Sequence, residues 1–231
     1  MTHLQREIDR LKRKILALGA VVEDNLRLAF QAIEARDADK GHRVMVTDIL
    51  IDDKEIEVEE DCLKILALYQ PVAGDLRFIV AVIKINSELE RIGDLAANIG
   101  ERAVSLAREH PVPAPGGFAV MAERTGTILE KALDALVRQD AATARLVLAA
   151  DDEIDALYRG LIADLKEIIR TYPEHLDAIV LLFHVARYLE RLADHATNIA
   201  EDVLYMVEGE IHRHQMPDTP AELFRWDVRE R

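Results

Sequence analysis

Two stretches of the chain carry one acidic pattern, one hundred residues apart. The first is Glu90-Arg91-Ile92-Gly93-Asp94-Leu95-Ala96-Ala97-Asn98-Ile99-Gly100-Glu101. The second is Glu190-Arg191-Leu192-Ala193-Asp194-His195-Ala196-Thr197-Asn198-Ile199-Ala200-Glu201. On a helix advancing ~100° per residue, Glu90, Asp94, Asn98 and Glu101 fall within ~80° of one another, as do Glu190, Asp194, Asn198 and Glu201. Each set is a narrow polar stripe on the side opposite Ile85, Leu89, Ile92, Ala96, Ile99 and Ala103, or their counterparts. The ordinary meaning of such a stripe is a solvated face. Carboxylates one turn apart, however, repel by ~0.2–0.5 kcal/mol, and solubility requires neither that repulsion nor a conserved-in-register asparagine in both copies. Cation binding offers a reason for the pattern: hard and borderline metal ions take several convergent carboxylate oxygens.

One helix supplies only part of such a site, so a neighbour must complete it. Asp53 and Glu57, and in the second half Asp151 and Asp155, have the same one-turn spacing on the preceding helix. They are predicted to be the remaining metal ligands. The supporting match is Asp53, Glu55, Ile56 and Glu57 with Asp151, Glu153, Ile154 and Asp155. Arg91 and Arg191 flank the stripes, where they either offset charge behind the ligands or form helix ion pairs. His195 and His184 lie toward the apolar side and read as core or interface histidines. His212 and His214 are a weak pair, and the lone Trp226 reads as a docking residue for the core or a sister subunit.

Positioning these stripes takes long helices. Leu4, Ile8, Leu11, Ile15, Leu18, Val22, Leu26, Ala29 and Ile33 recur at steps of three and four, the spacing of one amphipathic helix face. A cap at Asp37-Ala38-Asp39 opens a second helix, which Gln70-Pro71 ends after Tyr69. The third runs from Ala73 to about Arg108. The Pro/Gly-rich segment 111–117 separates residues 1–110 from a second unit, 118–212, with helices from Phe118 to Arg138, from Asp140 to Tyr172, and from His175 to Ile211. Residues 213–231 read as an irregular tail. The expected fold is all-α: six helices forming two tandem-repeat three-helix bundles, with short connections making neighbours antiparallel.

Composition agrees. Half the 231 residues are hydrophobic but only 5 % are aromatic, a profile suited to packed helices. The net charge of −14 argues against nucleic acid or an anionic membrane surface as a partner. Cys62 is the sole cysteine and sits in an apolar run, so a buried thiol and the reducing cytoplasm are expected. The first residues are charged and lack an apolar h-region, so no signal peptide is expected, and no apolar run reaches the ~18–20 residues needed to span a bilayer.

The doubled Leu-Glu-Arg-Ile-Gly-Asp-x-Ala-x-Asn-Ile pattern resembles the PhoU family of phosphate-transport regulators. Gln70-Pro71-Val72-Ala73-Gly74-Asp75-Leu76-Arg77 and Asp53-Lys54-Glu55-Ile56-Glu57 extend the resemblance, which covers Leu4 to Glu210. It implies iron or zinc held at the Glu/Asp-x-x-x-Asp motifs, here Glu90/Asp94 and Glu190/Asp194, and frequent homodimers. It also implies a non-enzymatic, negative regulatory role linking a phosphate ABC transporter, through its ATPase subunit, to a sensor histidine kinase. The second copy departs at Leu192, Ala193 and His195 and lacks the Gln-Pro-Val-Ala loop, which puts its site in question. An accessory protein for another phosphate carrier is the near alternative. A ferritin-type di-metal enzyme is the distant one, since such sites use Glu-x-x-His pairs facing a core and the chain contains none. A phosphotransfer histidine has only His195 to offer, on the wrong side of its helix.

Overall fold

The computed structural model describes residues 2–112 and 115–210. The first unit contains α1 (His3–Ala35), α2 (Ala38–Tyr69) and α3 (Ala73–Leu106). The second contains α4 (Gly117–Arg138), α5 (Ala141–Ala149), α6 (Asp151–Thr171) and, after a short 3-10 turn, α7 (Leu176–Glu208). The caps are local in origin. Thr2, Asp37 and Asp140 side chains accept backbone N–H groups at the starts of α1, α2 and α5, donors that a helix leaves unpaired. Arg36, Gln70, Gln139 and Gly209 end α1, α2, α4 and α7 in the left-handed region, the usual chain reversal after a helix.

The predicted fifth helix is two pieces. Its rod breaks at Ala150 (φ −85°, ψ −9°), and α6 opens on Asp151, Asp152 and Glu153. Three carboxylates in one turn suit the partially positive N-terminal end of a new helix. The break leaves the plan of six rods intact, with α5 and α6 forming the fifth. Two ends also move inward: α3 stops at Leu106 and α7 at Glu208. The tail, with His212, His214 and Trp226, lies outside the described residues.

Each unit folds as a three-rod bundle, and α3 packs along α7 while α1 touches α4, which joins the units. Ile85, Leu89, Ile92, Ala96, Ile99 and Ala103 are buried, as are Leu189, Leu192, Ala196, Ile199 and Val203. The acidic stripes therefore face away from the core. In the first unit α2 and α3 come into backbone contact: a Cβ on Gly41 would sit 2.6 Å from the Gly100 carbonyl oxygen, and one on Gly100 2.8 Å from that of Gly41. The equivalent positions in the second unit are Ala144 and Ala200, so that approach is closest in the first.

Candidate metal-binding faces

Buried positions of α2 recur in the second unit 103 residues on: Val44 with Val147, Ile51 with Ile154, Val58 with Leu161, and Cys62 with Leu165. In this register Asp48 and Asp52 correspond to Asp151 and Asp155. Asp53 and Glu57, the predicted partners of the first stripe, are thereby corrected. Both are exposed, and Glu57 turns toward α1, where it and Asp61 hold Lys14 at 3.4 and 2.6 Å. Ile56, matched by local sequence to buried Ile154, is 53 % exposed. The helix core, rather than local identity, decides which carboxylates meet α3.

The first acidic face is thus Asp48 and Asp52 from α2 with Glu90 and Asp94 from α3. Burial pushes the Asp48 carboxyl up, and the charges of Asp52, Asp94 and Glu90 add to it, giving a pKa of about 6. Burial, then Asp94 and Asp53, raises Asp52. Burial and Asp94 raise Glu90, with Arg91 opposing and Asp52 and Glu55 adding. Each shift has the same physical cause: carboxylates brought together in partly desolvated surroundings disfavour one another's charged form. Gly93 permits the approach, because a Cβ there would lie 3.0 Å from Asp48 Oδ1 and from Ile51. That Oδ1 is buried and has no hydrogen-bond partner.

The second face gathers Asp151 and Asp155 from α6 with Glu190 and Asp194 from α7. Burial and then Asp194, Asp155 and Asp152 raise Asp151. Burial also raises Asp194, while Arg187, His195 and Arg191 oppose it and Asp155 adds to it. Burial and Asp194 raise Glu190 against the pull of Arg187. Arg187 Nη1 donates to Glu190 Oε1 at 2.5 Å, a partner that the sequence reading missed although its i,i+3 spacing was visible. The other oxygen, Glu190 Oε2, is buried without a partner. Each face therefore contains one orphaned carboxylate oxygen, an arrangement that costs free energy unless a cation or proton arrives.

The remaining predicted ligands stand apart. Asn98 Nδ2 donates to the Asp94 carbonyl of its own helix at 2.8 Å, and Glu101 pairs with Arg102 at 2.8 Å. Asn198 Nδ2 donates to Glu88 Oε2 on α3 at 3.1 Å, so it is engaged at the junction of the two units. Glu201 is half-buried on α7. His195 Nδ1 lies 2.7 Å from the same Glu88 oxygen, while His184 is exposed beside Tyr188 rather than buried. Arg91 and Arg191 are exposed, and their charge opposes the shifts of Glu90 and Asp194 respectively. Among the described residues, no three His, Cys, Asp or Glu side chains form a ready-made metal cage. In donor chemistry the faces suit a cation that prefers oxygen, and the two orphaned oxygens fit the same need. Closing a cage requires rotation of side chains, for which exposed Asp52, Asp94 and Asp194 have room.

Fold and faces together define an all-helical tandem-repeat protein with one acidic inter-helix face per repeat. A family model described as the PhoU domain matches residues 15–103 and again 118–203. The chain belongs to the PhoU family. It is 36 % identical over 212 residues to a phosphate-specific transport system accessory protein PhoU homolog of Aquifex aeolicus, covering 92 % of this chain and 96 % of that protein. It is 32 % identical over 208 residues to the PhoU accessory protein of Edwardsiella tarda, covering 90 % and 86 %. The crystal structure of PhoU from Pseudomonas aeruginosa superposes with a TM-score of 0.86 at 32 % identity, covering 90 % of this chain and all of that one. The phosphate transport system regulatory protein PhoU from Streptococcus pneumoniae gives 0.84 at 26 % identity, with 90 % and 99 % covered. Among the described residues, no helix is long and apolar enough to cross a membrane.

Proposed function

We propose that this chain is a non-enzymatic accessory protein of phosphate transport that represses the phosphate-starvation response when phosphate is plentiful. In this reading it acts in the cytoplasm as a homodimer, between the ATPase subunit of a phosphate ABC transporter and a sensor histidine kinase. What supports the role is relatives named as phosphate-transport accessory proteins and matched over nearly their whole length.

The same reading assigns the two acidic faces to metal ions, iron or zinc. Asp48, Asp52, Glu90 and Asp94 hold the first, and Asp151, Asp155, Glu190 and Asp194 the second. The observation that carries this part is the pair of buried, unpartnered oxygens, Asp48 Oδ1 and Glu190 Oε2. A bound cation supplies positive charge where four carboxylates otherwise repel. Arg187 already offsets part of that repulsion in the second face, so the first face is the stronger site.

Deleting the gene tests the regulatory role. Phosphate-starvation genes are expected to rise in phosphate-replete cells, and unchanged expression would remove the role from this chain. If instead uptake through a different phosphate carrier changes, the accessory role moves to that carrier.

A further inference from the structure

Helix α2 presents an apolar ridge that nothing within the described fold covers. Ile49, Ile56 and Leu63 retain 63, 53 and 55 % of their surface, and Met45 retains 38 %. With ~100° per residue, these four lie within ~40° of one another and roughly opposite buried Ile51. The ridge is straight because its members repeat every seven residues from Ile49 to Leu63. Burying three large aliphatic side chains would stabilise α2 more than exposing them, so their position on the outer face requires an explanation beyond solubility.

Charge identifies the occupant. Asp52 and Glu59 flank the ridge on one side, Asp53 and Glu60 on the other, and all four are exposed. From Asp48 to Lys64 the sequence holds eight carboxylates and two basic residues, Lys54 and Lys64, the latter paired with Glu60 at 3.2 Å, so the acidic charge still dominates. A second copy of α2 laid on this face would bring carboxylates against carboxylates, which the Coulomb term opposes. An anionic membrane surface is repelled for the same reason. An apolar ridge between two acidic rails instead complements a helix with its own apolar stripe edged by lysine or arginine.

We infer that the outer face of α2 is a docking surface for a basic amphipathic helix of a partner protein. Ile49, Ile56 and Leu63 anchor the partner's apolar stripe, and the acidic rails select its charge and orientation. The surface shares only Asp52 with the metal-binding faces; the ridge and the rail residues Asp53, Glu59 and Glu60 stand whether or not those faces hold a cation.

The test uses the full chain and a synthetic peptide of about 18 residues, long enough at ~1.5 Å per residue to run beside Met45 to Leu63. Its leucines follow helical spacing and are flanked by lysines; a scrambled peptide of the same composition is the control. Titration calorimetry should show binding of the patterned peptide at least about tenfold tighter than of the scrambled one, weakening as salt rises. The triple variant I49S/I56S/L63S and, separately, D53K/E59K should each lose about tenfold, with helix content by circular dichroism unchanged. Amide shift mapping should place the peptide on α2. Equal binding of both peptides, undiminished binding to the triple variant, or shifts mapping elsewhere would overturn the assignment. So would a wild-type dimer that dissociates in the triple variant, since a second copy would then cover the ridge; a dimer that persists in it leaves the face free, as the assignment requires.

Discussion

Asp48 Oδ1 lies 3.0 Å from the point where a side chain on Gly93 would begin. The glycine lets an acidic side chain of α2 settle against α3, and the same closeness makes that carboxyl resist ionisation. The second unit has Ala193 in the equivalent position. Gly93→Ala should therefore displace Asp48 and Ile51 and lower stability by about 1–2 kcal/mol, read as a drop in the midpoint of urea unfolding. A variant as stable as wild type would show that the close approach places no demand on this position.

The four carboxylates of the first face should destabilise the metal-free protein. Asp48 has a folded pKa of about 6, above the ordinary 3.8. A carboxyl raised in this way favours the folded state below its unfolded pKa and loses that advantage as pH rises from about 4 through about 6. Asp48→Asn should then stabilise metal-free protein near neutral pH by on the order of 1 kcal/mol, after allowance for solvent screening, and much less near pH 4. Thermal melts in chelator at both pH values check the difference. A variant less stable than wild type at neutral pH would contradict it.

Glu88 joins the two units, and neither it nor His195 is repeated, although Asn198 has its counterpart in Asn98. It bonds His195 and Asn198 across the α3–α7 contact, whereas Tyr188 and Leu95 stand at the corresponding positions. Burial alone would push Glu88 up, but the His195 and Asn198 hydrogen bonds and the His195 and Arg91 charges leave it below the ordinary carboxylate range. Glu88→Ala should cost about 1–3 kcal/mol, the penalty for stranding half-buried partners. A double-mutant cycle with His195→Leu should return a coupling of at least about 0.5 kcal/mol; additive effects would mean that the pair contributes nothing as a pair.

Cys62 should be inert. It is fully buried, and burial, aided by Asp61 and Glu59, pushes its thiol up to about 12. Thiolate is the reactive form, so a disulfide reagent should label native protein far more slowly than protein in denaturant. Equal rates would place the side chain at the surface.

The helices and their apolar faces were legible because periodicity and caps are local. Asp37 and Asp140 open helices, and Pro71 and Pro173 follow helix ends, whereas the cap at Thr2 was not read. The partner of the first stripe was misread because Asp53-Lys54-Glu55-Ile56-Glu57 resembles Asp151-Asp152-Glu153-Ile154-Asp155 more than its true structural counterpart does. The apolar series Val44, Ile51, Val58 and Cys62 holds the correct register against Val147, Ile154, Leu161 and Leu165. The span from Cys62 to Glu90 is three residues longer than that from Leu165 to Glu190, the excess lying in the helix ends rather than the loop, so the last helices align at one hundred residues and the earlier ones at 103. Glu88 was not legible at all, since its partners come from the other unit and no repeat marks it.

Elemental analysis of gently purified protein tests the metal assignment most directly. Wild type should carry iron or zinc, D48N/D94A should lose the larger share, and D151N/D194A the smaller. D53N/E57Q should keep the wild-type content, because those side chains face elsewhere. Equal metal in all four proteins, or loss only in D53N/E57Q, would contradict the account.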